Sequence, residues 1–324
     1  MMNRRQVLAC SGASALGLVC GTAAADYPSG AITIVLPLQA GSASDVAVRH
    51  MADRLSKRLP ECSFVVENVA AAAGLVGLER IGRARADGRT VAALNNSILT
   101  ILPHLQAKQL KQDPRDSLVP VAGIANIPTF FAVPANSPIQ SIADLIKAAR
   151  TERITYSSGG VGSPQHMATE MFNSYTGVKL EHVPYRGAAQ ASLAVAMGEV
   201  QVMSMALSMA QPFLADNRIR LIGYCGAERY PQFRDLPTLQ EAGIKGYEYS
   251  SWIAFFLPRE VPQAAVAELR QAAQAISQDR EFQMQLIRSG LEPWPRDDQQ
   301  LARIVENDYV RWKKIVQDAN IPSA

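Results

Sequence analysis

Aromatic side chains make up only 6% of this 324-residue chain, which also holds just four cysteines and four histidines. Each shortage excludes something. The 32 basic and 29 acidic side chains leave a formal charge of +3. That is too small an excess to attract nucleic acid, and there is no Lys/Arg run to seek anionic lipid. His50, His104, His166 and His182 have no metal-ligand spacing with one another or with the cysteines. There is no Walker loop, and Gly160-Val161-Gly162 lacks the third glycine of a dinucleotide fingerprint, so no cofactor is expected. The strand–Ser–helix elbow of the α/β hydrolases, Gly-x-Ser-x-Gly, is missing as well.

Long apolar runs are also lacking. The stretch from Val7 to Val19 is shorter than the roughly 20 residues a membrane span needs. It follows Arg4-Arg5 and precedes Ala23-Ala24-Ala25, the pattern of a cleaved export signal over residues 1–25. Asn3-Arg4-Arg5-Gln6 fits a twin-arginine signal and an ordinary secretory one alike. Losing Arg4 and Arg5 leaves 30 basic against 29 acidic side chains, since every acid lies beyond residue 25. The expected product is a periplasmic, nearly neutral monomer. Cys62 and Cys225 remain after processing, and two small buried residues are favoured over a bridge.

What is present is a 48% hydrophobic chain in which short apolar strands alternate with amphipathic helices. Strands are expected at 32–36, 64–67, 90–94, 130–133, 182–183, 200–205, 219–224 and 252–257. The expected helices are 45–59, 141–150, 164–175, 188–197, 262–277, 280–289 and 298–318. In the first helix Val48, Met51, Ala52, Leu55 and Leu59 form one stripe. Such alternation indicates α/β architecture with mostly parallel sheets covered on both faces. The length suits two lobes better than one core.

Two junctions carry the chemistry. Tyr156-Ser157-Ser158-Gly159-Gly160-Val161-Gly162-Ser163-Pro164-Gln165-His166 runs from a strand through a Gly/Ser loop into a helix, with Ser163 at the N-cap and Pro164 at the first helical position. Gly41-Ser42-Ala43-Ser44-Asp45 repeats this logic, with Ser44 as a plausible cap and Asp45 in the first turn. Free N–H groups, hydroxyls and the positive end of a helix dipole can hold an anion without Lys or Arg. Asn96, in Leu94-Asn95-Asn96-Ser97, ends another strand. Ser163 and His166 could share a helix face, but a capping serine beside a core histidine is favoured over a dyad. Met203 and Met205 point to one side of a strand, where core packing is the ordinary role.

The order of Val66-Glu67-Asn68, Gly74, Gly77, Asp87-Gly88, Tyr156 to His166, Val183-Pro184-Tyr185-Arg186-Gly187, Leu236-Pro237-Thr238, Glu241-Ala242-Gly243 and Ser251-Trp252 resembles the receptors of the tripartite tricarboxylate transporter family, the Bug receptors. The resemblance covers nearly all of the chain beyond residue 25. It implies a two-lobed periplasmic binding protein of type II-like architecture. The first lobe would comprise 26–125 plus 225–324 and the second 126–224, with crossings near Asn126 and Tyr224. It also implies that a ligand carboxylate sits between the loops, giving candidate residues Gly41, Ser42, Ser44, Asp45, Asn96, Ser157, Ser158, Gly160, Gly162, Ser163, His166 and Tyr185. Leu75 stands where relatives often have Asn, and Met205 where an Asp is common. If both line the pocket, it favours monocarboxylates or aromatic acids over di- and tricarboxylates.

The leading function is non-enzymatic capture of a small organic acid for a transporter's membrane subunits. A ligand-presenting sensor for a receptor kinase is the alternative, and a secreted hydrolase using Ser163 and His166 is a remote one.

Overall fold

A computed structural model describes residues 29–318 of the chain. The export signal expected over residues 1–25 lies outside the described residues. Among the described residues eleven strands form: β1 (Gly30–Leu36), β2 (Cys62–Asn68), β3 (Thr90–Asn95), β4 (Leu118–Ile127), β5 (Thr129–Pro134), β6 (Thr155–Ser158), β7 (Glu181–Pro184), β8 (Met203–Ala206), β9 (Ile219–Tyr224), β10 (Ser251–Pro258) and β11 (Glu292–Pro293). The helices are α1 (Ala43–Arg58), α2 (Leu75–Gly82), α3 (Leu102–Leu105), α4 (Pro114–Ser117), α5 (Ile142–Thr151), α6 (Pro164–Thr176), α7 (Ala188–Met197), α8 (Leu207–Ala215), α9 (Gln263–Gln278), α10 (Arg280–Arg288) and α11 (Asp298–Asp318).

One sheet has the order β11-β4-β10-β3-β1-β2. Its strands alternate between two helical layers, as a pleat requires. Ile32, Ile34 and Leu36 of β1 pack with Val48, Met51 and Leu55 of α1, Leu269 of α9 and Phe282 of α10. Val35 faces the other way, with Ile81 of α2 and Leu301 and Val305 of α11. The second lobe holds the sheets β8-β5-β9 and β6-β7, linked by a bridge between Tyr156 and Val202. Phe131 and Val133 of β5 meet α5 and α6 on one side, while Ala132 meets α7 and α8 on the other.

Parallel pairing holds where crossover helices intervene, in β1–β2, β1–β3 and β6–β7. The strands that carry the chain between lobes pair antiparallel: β10 with β3 and β4, and β5 with β8 and β9. The chain passes from the six-stranded sheet into the second lobe between Ile127 and Thr129. It returns not at Tyr224 but at Ser251. The intervening segment stays with the second lobe because Leu239, Tyr247 and Tyr249 are buried in its core and Thr238 bridges to Tyr224.

Candidate functional site

Ser42, not Ser44, caps α1. Its hydroxyl accepts from the Asp45 N–H, and Ser44 lies within the first turn. Ser163 caps α6 through the His166 N–H, with Pro164 at the helix start as expected. A third helix, α7, starts at Gly187 with no side-chain cap. These three starts converge on one cavity of about 90 Å³, lined by Ser42, Ala43 and Ser44, by Ser163, Pro164 and Gln165, and by Gly187 and Ala188. The N–H groups of Ala43, Ser44, Gln165 and Ala188 have no acceptor among the described residues. Each helix therefore offers unpaired donors and a positive dipole end to the same space.

The rest of the wall is neutral or cationic. Ser97, Thr129, Ser204 and Ser251 supply hydroxyls, Ile98, Ile127, Val161 and Ala206 supply apolar surface, and Arg186 supplies a guanidinium. No carboxylate lines it among the described residues. One water occupies about 10–15 Å³ on this scale, so the space takes roughly six to nine water-sized groups, the size of a small organic molecule.

The two lobes meet over this cavity. Gln39 Nε2, from the first loop, donates to the Arg186 carbonyl of the second lobe. Ala73 approaches Gly162 from the first lobe's side. Its loop is brought there by a tight joint: a Cβ on Gly77 would stand 2.7 Å from the Pro37 side chain, and one on Gly74 only 2.3 Å from Ile98.

Of the residues expected at the site, Ser42, Ser44, Gly162 and Ser163 line the cavity. Several others hold the lining from behind. Asp45 Oδ2 accepts from the Gly41 N–H and from Arg49 Nε, both at 2.9 Å, and Oδ1 accepts from Asn68 Nδ2 at 2.9 Å. Burial alone would raise this carboxyl's pKa, but those bonds win and hold it below its ordinary value. Ser157 Oγ donates to the Ala191 carbonyl at 2.9 Å. Ser158 Oγ accepts from the Gly160 N–H at 3.1 Å and lies 2.6 Å from His182 Nε2. His166 Nδ1 accepts from the Gly162 N–H at 3.3 Å, with its ring centroid 4.5 Å from that of His182. Burial, helped by His182, pushes His166 down to about 3, and burial pushes His182 down to about 4. Both rings are thus neutral at pH 7. Ser163 is engaged as a cap and His166 Nδ1 is taken by a backbone donor, so the pair lacks the hydrogen bond a nucleophile–base dyad needs.

Four expected residues, Met205, Leu75, Asn96 and Tyr185, lie outside the lining. Met205 is fully buried among Ala132, Ala191, Val195 and Ala210, away from the cavity. Strand alternation gives the reason: its neighbour Ser204 takes the opposite face and lines the cavity. Leu75 lies in a separate surface groove beside Glu79 and Lys111, because the left-handed turn at Gly74 aims Ala73 inward instead. Neither Leu75 nor Met205 therefore contributes apolar surface to the cavity. Asn96 spends its side chain on Ser250 and Ser251, pinning the second crossing, and the next residue, Ser97, reaches the cavity. Tyr185 lies outside the lining, with its hydroxyl donating to Glu199 at 3.4 Å.

Gln39, Gln165 and Arg186 line the cavity unforeseen. Gln165 and Arg186 stand inside motifs already singled out, and Gln39 lies two positions before Gly41. Cys62 and Cys225 are both buried, and no disulfide joins them. Among the described residues there is no metal-binding cluster, and no helix is long and apolar enough to cross a membrane.

Two lobes joined by crossing strands, closed over a small cavity at helix starts, define a solute-binding receptor. Residues 47–321 match the model for the tripartite tricarboxylate transporter family receptor, and the chain belongs to that family. A UPF0065 protein of Bordetella pertussis is 29% identical over 310 residues, 95% of each chain. BugT of the same organism is 24% identical over 326 residues, 98% of each chain. Among solved structures, R. palustris Rpa4515 with adipate is 32% identical with a TM-score of 0.87, covering 92% of this chain and 99% of that one. The periplasmic binding protein BugD is 24% identical with a TM-score of 0.83, covering 91% and 99%, and supports the fold alone.

Proposed function

We propose that this protein captures a small organic carboxylate in the periplasm, by closure of its lobes, and delivers it to the membrane subunits of a transporter. The observation that carries this reading is the convergence of three helix starts with unpaired N–H donors on a cavity free of acidic side chains. A carboxylate has only acceptors to offer, and here it meets free N–H donors at three helix starts. The bodies that close are the lobe containing β10 and the lobe containing β5, with ligand groups on each. Arg186 at the cavity rim adds a cation that a second carboxylate of the ligand would meet. The adipate held by the 32% identical R. palustris protein supports this class of ligand.

Replacing Ser163 with Asp tests the reading. Aspartate can still cap α6, but it brings a fixed negative charge to the wall where the ligand's carboxylate would lie. The expected result is a loss of about 100-fold or more in affinity for the acid bound by wild type, measured by calorimetry, with the melting temperature of the ligand-free protein little changed. Unchanged affinity would place the carboxylate elsewhere.

A further inference from the structure

Gln165 is the second residue of α6, and its side chain lies in the cavity wall with 8% exposure. Its Oε1 is buried without a hydrogen-bond donor, and Nε2 has no acceptor among the described residues. The hydroxyls around it are committed elsewhere. Ser204 Oγ and Thr169 Oγ1 donate to the Gln165 backbone carbonyl at 3.0 and 2.9 Å. Thr129 Oγ1 donates to the Ile127 carbonyl at 3.2 Å. Space for the amide exists because residue 159 is glycine: a Cβ there would stand 3.3 Å from Gln165 Oε1 and 3.0 Å from the Ala188 nitrogen.

A buried amide that turns no hydrogen bond toward its own protein is half of an interaction. It presents both a donor and an acceptor, and exchanging its O and N atoms leaves that pairing unchanged. A carboxylate satisfies the Nε2 donor and the free backbone N–H groups, but it has no hydrogen to give Oε1. An unsubstituted acid therefore seals an unpaired acceptor into the closed cavity. A hydroxyl near the carboxylate donates to it. We propose that Gln165 is a specificity-determining residue that selects hydroxylated carboxylates over their unsubstituted counterparts. This rests on the carboxylate reading above.

The size of the effect follows from the cost of an unsatisfied buried polar atom, which corresponds to roughly 10- to 100-fold in affinity. The test is calorimetric titration of the whole protein with matched acids: malate against succinate, 2-hydroxyglutarate against glutarate, and 2-hydroxyadipate against adipate. The expected result is at least one pair in which the hydroxy acid binds about 10-fold tighter or more, and loss of that preference in Gln165→Met, which keeps the side chain's length and removes both polar atoms. Equal affinity within every pair that binds would overturn the proposal, with a water serving Oε1, and would leave carboxylate capture standing. So would a preference that survives Gln165→Met. Failure of every acid to bind would overturn both. The wild-type comparison decides even where the variant does not fold.

Discussion

His166 and His182 stand behind the Gly/Ser loop, one accepting from the Gly162 N–H and the other bonded to the Ser158 hydroxyl that receives the Gly160 N–H. Both are held neutral, at about 3 and about 4 against an ordinary value of 6.5. The unfolded chain therefore takes up protons below about pH 6.5 that the folded chain refuses until pH 3–4, and stability falls as the pH falls through that window. Urea unfolding at pH 7 and pH 5 should show the loss, and His182→Gln should flatten it. A wild-type midpoint that does not move between the two would contradict the assignment. This scale is also where the sequence was least legible. Ser42 and Ser163 could be found because a cap is a local preference. Gln165, Arg186 and Ser204 could not, because which of two adjacent side chains enters a cavity depends on strand parity and loop conformation. Met205 was singled out as the counterpart of an Asp in relatives, and strand parity puts its neighbour Ser204 in the lining instead.

Between strand and helix, the unit of design is a loop held rigid by a buried acid. Asp45 ties Gly41, Arg49 and Asn68 to the first turn of α1, so the segment that presents the Ala43 and Ser44 N–H groups has little freedom. Hydrogen bonds to a charged group contribute about 1.5–3 kcal/mol. Asp45→Ala should cost about 2–3 kcal/mol in urea unfolding and weaken acid binding although the side chain lines no part of the cavity. Full affinity at reduced stability would make Asp45 structural only. β4 and α8 were not expected from the sequence, but α1, α5, α6 and α7 were well marked, by an apolar stripe, serine caps and glycine stops. The segment 225–249 was not. It has no strand or helix period, and only its tertiary contacts, through Tyr247 and Tyr249, show that it belongs to the second lobe.

Across the whole molecule, two devices oppose one another. On the cleft side the lobes touch through the Gln39–Arg186 bond and the approach of Ala73 to Gly162. Elsewhere α11 joins both cores, with Leu301 and Val305 in the first and Trp312 and Ile315 in the second. The proposed closure would turn about the crossing strands and this helix, with the cleft contacts forming and breaking with ligand. Two-lobed α/β architecture could be read from alternation, length and family resemblance. The antiparallel pairing at the crossings could not, because strand direction is fixed by which lobe the chain is leaving. In the proposed function the cavity recognises a negative charge with backbone donors. Calorimetric titration with the acid that binds wild type and with its neutral amide, matched in size, tests this most directly. The amide should bind about 100-fold more weakly or not at all, because its N–H groups meet the same donors the carboxylate pairs with. Equal binding of acid and amide would contradict it.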